Sequence, residues 1–235
     1  MRKFFALFLG MAMAFAACSA FAAECCCSCC NKLSDTEKQE GFELLFDGKT
    51  VSDEIWQGAV SGYPVEDGVI VCREGGQLLT KKEYDNFVFR FEFKLPPAGN
   101  NGVGIRTPIG KDSAYYGMEI QILSDAYEGA APWQKHGSIY GVVPAKTGAL
   151  KPDGEWNTEE IIAVGSHIRV IVNGITIVDA DIANAKPLSG EHPGLHNETG
   201  FIGFLGHGDP VMFRHIRVLK VSSEEDVAKL AEAEK

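Results

Sequence analysis

Phe87-Val88-Phe89-Arg90-Phe91-Glu92-Phe93-Lys94-Leu95 sets Phe87, Phe89, Phe91, Phe93 and Leu95 at every second position. Only a β-strand gathers those side chains on one face and leaves Arg90, Glu92 and Lys94 on the other. Burying four Phe rings contributes on the order of 6–12 kcal/mol before entropy is charged, so this face belongs to a core. Short strand signals recur along the rest of the chain, divided by Gly, Pro and Asn. They cover 69–73, 77–80, 102–107, 117–123, 137–143, 159–164, 167–172, 175–181, 200–207 and 211–221. Asn173-Gly174 between two of them is the strongest two-residue hairpin signal. No internal repeat is visible. About a dozen strands without intervening helices predict an all-β sandwich or barrel. After it, Ser222-Ser223-Glu224-Glu225-Asp226 offers capping boxes for a short C-terminal helix running to Lys235.

The first 23 residues have the pattern of a secretory signal peptide. Arg2 and Lys3 form the basic start, Phe4 to Ala17 the apolar stretch, and Ala20-Phe21-Ala22 a cleavage site. Export to the periplasm or the medium is the expectation. Phe15-Ala16-Ala17-Cys18 offers an alternative cut, with a lipid on Cys18 tethering the protein to a membrane. The net charge of −10 leaves no basic stripe to meet phosphates, so nucleic acid is not an expected partner. An uncharged or cationic ligand fits that charge. Six of the seven cysteines lie at or before residue 30, five of them in Cys25-Cys26-Cys27-Ser28-Cys29-Cys30. With only Cys72 inside the domain, the run cannot staple it, and residues 24–40 read as a polar, Cys-rich linker. The domain itself is expected over 41–221, followed by a helical tail over 222–235.

Tyr116-Gly117-Met118-Glu119-Ile120-Gln121-Ile122-Leu123 carries the chemistry. Met118, Ile120 and Ile122 turn to the core, so Glu119 and Gln121 share the opposite face. In Gly102-Val103-Gly104-Ile105-Arg106 the glycines empty the equivalent face, as if something else must fit there. A hairpin closed symmetrically over 109–116 sets Arg106 across from Glu119. Glu119 could then serve as general base, general acid or metal ligand, and Arg106 could hold it ionised or stabilise an oxyanion. A structural ion pair explains the same two residues. His207 and Asp209, in Gly206-His207-Gly208-Asp209-Pro210, suit a site on the rim, or a turn in which Asp209 caps backbone N–H groups. Trp133 and Tyr140 could stack on sugar faces or pack the rim. Trp156 reads as core, and His167 and His215 as structural. His192 and His196 have the spacing of a metal pair on a helix, but Pro193 and Gly194 argue against a helix there.

Taken in order, Gly41–Gly48 with Leu45-Phe46-Asp47-Gly48, 65–70, 99–106, 117–123, 137–141, 154–158, 172–174 and 203–221 resemble the 3-keto-disaccharide hydrolase family, long called a domain of unknown function. The resemblance spans 41–221 and implies a concanavalin A-like jelly-roll β-sandwich. It also implies cleavage of glycosides already oxidised at C3 of the sugar. A C3 ketone acidifies the proton on C2; its removal gives an enolate that expels the aglycone from C1, and water adds back. On that scheme Glu119 or His207 is the base, Arg106 or a divalent metal the enolate stabiliser, and Asp209 an orienter or ligand. Gln121, Asp125, Trp133 and Tyr140 are the expected substrate contacts. The family usually has a small polar residue where His136 stands, so no role carries over to it.

Two rival readings remain at this point. Sandwich glucanases resemble Glu-Ile-Asp-Ile-x-x-Glu, whereas Glu119-Ile120-Gln121-Ile122-Leu123-Ser124-Asp125 has Gln121 and Asp125 at the later acidic positions. Gln121 cannot share a proton, which weakens a two-carboxylate glycosidase. A non-catalytic carbohydrate-binding module would use the Trp and Tyr rings and be indifferent to Glu119.

Overall fold

The computed structural model describes residues 31–233. The signal-peptide segment, Cys18 and the Cys25–Cys30 run lie outside the described residues. Two antiparallel sheets face one another. The larger runs β11(Ile175–Asp181)–β10(His167–Val172)–β9(Trp156–Val164)–β6(Phe87–Lys94)–β13(Met212–Lys220)–β4(Val69–Val71)–β3(Val65–Glu66), with β1(Glu43–Leu44) also paired to β13. The smaller runs β2(Trp56–Gly58)–β5(Gly76–Thr80)–β12(Phe201–Gly206)–β7(Asn100–Thr107)–β8(Met118–Leu123). This is the all-β sandwich that the strand pattern implies.

The alternating phenylalanines of β6 meet the smaller sheet between the layers. Phe89 and Phe91 pack on Phe204, and Phe204 stacks on Phe213 at 3.8 Å between ring centroids. All four rings are fully buried. The Asn173-Gly174 turn has φ of 50° and 79°, the left-handed pair that a tight hairpin between β10 and β11 needs. The outer face of the larger sheet is closed by two helices. The C-terminal α3(Glu224–Ala233) sets Val227 and Leu230 against Val88, Ile162 and Phe42. Its start is capped by Ser223 and Asp226, in the region of the expected capping boxes.

The second helix, α1(Asp35–Glu40), falls within the stretch expected to be linker. Ser34 and Glu37 form a reciprocal capping box, and Gly41 ends the helix at φ 92°. Glu37 then pairs with Arg217 of β13, which fixes the helix to the sheet. Two further expectations change. Residues 137–143 form no strand, although they pair with β8 along its free edge. Trp156 lies on the outer face of the larger sheet, under the Arg214 guanidinium at 3.9 Å, rather than in the core.

Candidate active site

The outer face of the smaller sheet is not covered by helices. Loops rise around it and enclose a cavity of about 830 Å³, within the range of small-molecule sites. Its floor is laid by alternate residues of neighbouring strands: Gln77 of β5, Leu205 of β12, Asn100 of β7, and Glu119 and Gln121 of β8. The short helix α2(Ser113–Tyr116) supplies Tyr115 to one wall, and Gln134 and Tyr140 stand in another. His207, just past the end of β12, is exposed at the rim.

Glu119 is buried, at 5% exposure, although it points away from the core. Its backbone oxygen accepts from Tyr140 N–H at 2.9 Å, Gly137 N–H donates to Gln121 O at 2.7 Å, and Gln121 N–H donates to Ser138 O at 3.0 Å. Residues 137–140 thus serve as the edge partner of β8. The glycines opposite explain how the carboxyl fits. Gly104 pairs with Glu119 and Gly102 with Gln121. A β-carbon on Gly102 would stand 2.0 Å from Glu119 Oε1. The emptied face of β7 is therefore filled by this protein's own carboxyl group.

That carboxyl has no cation beside it among the described residues, and Oε1 is sealed from solvent without a hydrogen-bond partner. Burial, reinforced by the like charge of Asp112, pushes its pKa up to about 8. Tyr115 is also held above the ordinary phenol value, first by burial and then by Tyr140, Asp112 and Glu119. Its ring meets that of Tyr140 edge to face at 6.3 Å, and the Tyr140 hydroxyl accepts from Gln134 Nε2 at 3.2 Å. The cavity therefore presents carboxyl, phenol and amide groups on its floor and walls, with Lys111, Asp112 and His207 at its rim.

Arg106 is not across from Glu119. The observed register places Gly104 there, two residues from the symmetric hairpin. The pairing between β12 and β7 also shifts at this point, a β-bulge in which Arg106 takes φ 48°. The bulge turns the side chain away into a second, smaller cavity. There the guanidinium donates to the carbonyls of Asp85, Gly165 and Asn197 and to Asn86 Oδ1. It joins three loops and cannot reach a group bound at Glu119.

The other expected residues divide. Gln121 and Tyr140 line the main cavity. Gln121 Nε2 donates to Asn100 Oδ1 at 2.8 Å and to Asn101 O at 3.0 Å. Asp209 does not line it; its carboxylate accepts from Asn100 N–H at 2.9 Å and so steadies the residue that holds Gln121. Trp133 packs edge-on against Tyr140 at 5.2 Å, behind the wall. Asp125 is exposed and faces a separate small recess. Tyr115, Asn100, Gln77 and Gln134 are cavity residues that reading the strands missed. The Asp112-Ser113 start of α2 was the signal for Tyr115, since Asp112 caps Ala114 N–H at 3.1 Å.

His136 sits deep between the sheets. Its Nδ1 accepts from Leu123 N–H at 3.3 Å, and its Nε2 lies 3.5 Å from Glu159 Oε2. Burial favours the neutral form of each: the imidazole falls to about 3 and the carboxyl rises well above its usual range. Among the described residues no group of three or more His, Cys, Asp or Glu side chains is arranged to hold a metal ion.

Comparison with known proteins agrees with this architecture. The sequence model of the 3-keto-alpha-glucoside-1,2-lyase-like domain matches residues 41–219. A 3-keto-disaccharide hydrolase from Bacteroides thetaiotaomicron is 28% identical over 228 residues, covering 76% of this chain and 78% of that protein. A crystal structure of a proposed glycosyl hydrolase from Parabacteroides distasonis superimposes with a TM-score of 0.72 at 26% identity, over 82% of this chain and 99% of the other. A second from the same organism gives 0.64 at 28% identity, over 77% and 99%. Such relatives support assignment as a hydrolase. The chain belongs to the 3-keto-alpha-glucoside-1,2-lyase-like domain family.

Proposed function

We propose that the protein cleaves the glycosidic bond of 3-keto-glycosides, 3-keto-disaccharides among them, by elimination followed by hydration. The observation that carries this reading is the buried Glu119 carboxyl, unpaired and set in a cavity floor and wall that also carry Asn100, Gln121, Gln134, Tyr115 and Tyr140. Sugars are uncharged and rich in hydroxyls, and amides and phenols are the groups that bind them without competing charge. Proton abstraction next to a ketone needs a base and a stabiliser for the oxygen that becomes negative. His207 and Glu119 are the proton-transfer groups in reach of one ligand, and both line the cavity.

The C2 proton leaves to the base, and its electron pair forms a C2–C3 double bond with the charge on O3. The enolate then reforms the ketone, a C1–C2 double bond forms, and the aglycone departs from C1 with a proton. Water finally adds a hydroxyl to C1 and a proton to C2. Export, directed by the leader, would meet such substrates outside the cytoplasm.

The test is release of nitrophenol from a chromogenic 3-keto-glucoside beside the unoxidised glucoside, with and without EDTA. Cleavage of the keto form alone is expected. Cleavage of the plain glucoside would revive the two-carboxylate glycosidase, and silence on both would point to a binding module. The EDTA arm reports on a metal requirement.

A further inference from the structure

On the reading just given, the elimination needs a partner for O3 as it gains charge, and Arg106 is spent on backbone carbonyls elsewhere. We propose that Glu119 is not the base but an uncharged hydrogen-bond donor to O3, acting with the hydroxyls of Tyr115 and Tyr140, while His207 removes the C2 proton.

The geometry of the carboxyl leads there. An ionised carboxylate spreads its charge over both oxygens, and each then needs a donor or a cation. Here Oε1 is sealed without either, against Gly102, where no side chain can approach it. A neutral carboxylic acid tolerates this arrangement: Oε1 is its carbonyl oxygen, and the proton sits on Oε2, the oxygen left to meet a ligand. Burial and the like charge of Asp112 both disfavour ionisation. The elevated pKa agrees with this picture.

The phenols complete the set. Tyr115 reaches the cavity from α2 and Tyr140 from the segment paired to β8, and the two rings cross edge to face with centroids 6.3 Å apart, both lining the cavity with Glu119. Gln134 donates to Tyr140 Oη, so that bond does not use the Tyr140 phenolic proton. A neutral carboxylic acid beside a phenol is a proven way to stabilise an enolate, because neither donor must be stripped of an ion's hydration when charge develops. His207 lies past the end of β12, two strands from β8, which at the usual strand spacing is roughly 10 Å, and it opens onto the same cavity as Glu119.

The role makes a distinction that a base would not. Glu119→Gln keeps an N–H donor but can accept no proton, whereas Glu119→Ala keeps neither. With the chromogenic 3-keto-glucoside, kcat/KM of Glu119→Gln should stay within roughly tenfold of wild type, and Glu119→Ala should fall by about 10²–10³. Tyr115→Phe should lower kcat about tenfold with little change in KM. His207→Ala should lose turnover and regain part of it with added imidazole. Thermal unfolding of each variant separates these effects from misfolding. Glu119→Gln as inactive as Glu119→Ala in a folded protein would make Glu119 the base and overturn the inference, with the reaction itself intact. Unchanged turnover in Tyr115→Phe and Tyr140→Phe together would also overturn it. A wild type silent on the keto-glycoside would overturn the reaction and this inference together.

Discussion

The outer faces of the two sheets use the same alternation to opposite ends. On the larger sheet every prominent outward charge has a partner: Arg90 with Glu160, Arg214 with Glu92 at 2.7 Å, and Arg217 with Glu37. Two helices then close over part of it. On the smaller sheet the outward positions hold Gly102, Gly104 and Gly203, and Glu119 stands among them without a cation. A sheet face whose charges are matched is stable and inert. One that keeps a buried acid unmatched retains a proton that it can lend, at a cost in stability that the core must offset.

The largest effect is expected on the matched face. Arg217→Met leaves Glu37 buried without its partner and should cost about 3–5 kcal/mol in urea unfolding. The double variant with Glu37→Gln should recover most of that loss, because the uncompensated charge is gone. A single variant of near wild-type stability would show that this face does not depend on its pairs.

On the unmatched side, Gly102→Ala should abolish turnover rather than the fold. The new β-carbon would meet Oε1 at 2.0 Å and drive the carboxyl out of its seat. A loss of about 10²–10³ in kcat, equivalent to roughly 3–4 kcal/mol, is expected together with a smaller change in unfolding free energy. Wild-type kcat would show that the carboxyl's position is unimportant.

Next in size is a pH effect on stability. Because the folded protein raises the Glu119 pKa from 4.5 to about 8, the stabilising contribution of its protonated form is complete below 4.5. It is lost as pH rises through about 8. Glu119→Gln carries no such loss, so it should match wild type near pH 4 and exceed it by roughly 2–5 kcal/mol near pH 9. Parallel stability curves across that range would contradict the assignment. The smallest effect belongs to Asp209→Ala. Removing the acceptor for Asn100 N–H should cost about 1 kcal/mol and lower turnover a few-fold, read from the same two assays.

Much of this molecule was legible in its residues, for reasons that also mark the limits. Alternation in Phe87–Leu95 and 117–123 fixes which side chains enter the core, because strand geometry has a period of two and tolerates no drift. Glu119 and Gln121 were therefore found on the site face. Arg106 was misplaced because β7 and β8 pair two residues away from the symmetric hairpin and one extra residue in the bulge against β12 then reverses its face, and nothing local announces either. Its φ of 48° is imposed by the pairing of β7 with β12, strands far apart in sequence. Residues 35–40 read as linker because they are almost all polar, yet Ser34, Glu37 and Gly41 carry the start and stop signals of a helix. Tyr115 was missed for a further reason: it sits between strands, and only the folded chain brings its ring against Tyr140 in the cavity wall. The glycines of β7 were read correctly as leaving space, but the occupant is the protein's own carboxyl.

The central claim is that Glu119 stands neutral in the cavity floor, and its titration tests that most directly. Carboxyl-carbon NMR of protein labelled at glutamate, with Glu119→Gln as the reference that identifies the signal, follows one group through the pH range. The account predicts a carboxyl that is still protonated at neutral pH and titrates near 8. A midpoint in the ordinary glutamate range, near 4.3, would show a carboxylate that is charged at rest, and the account of this site would fail.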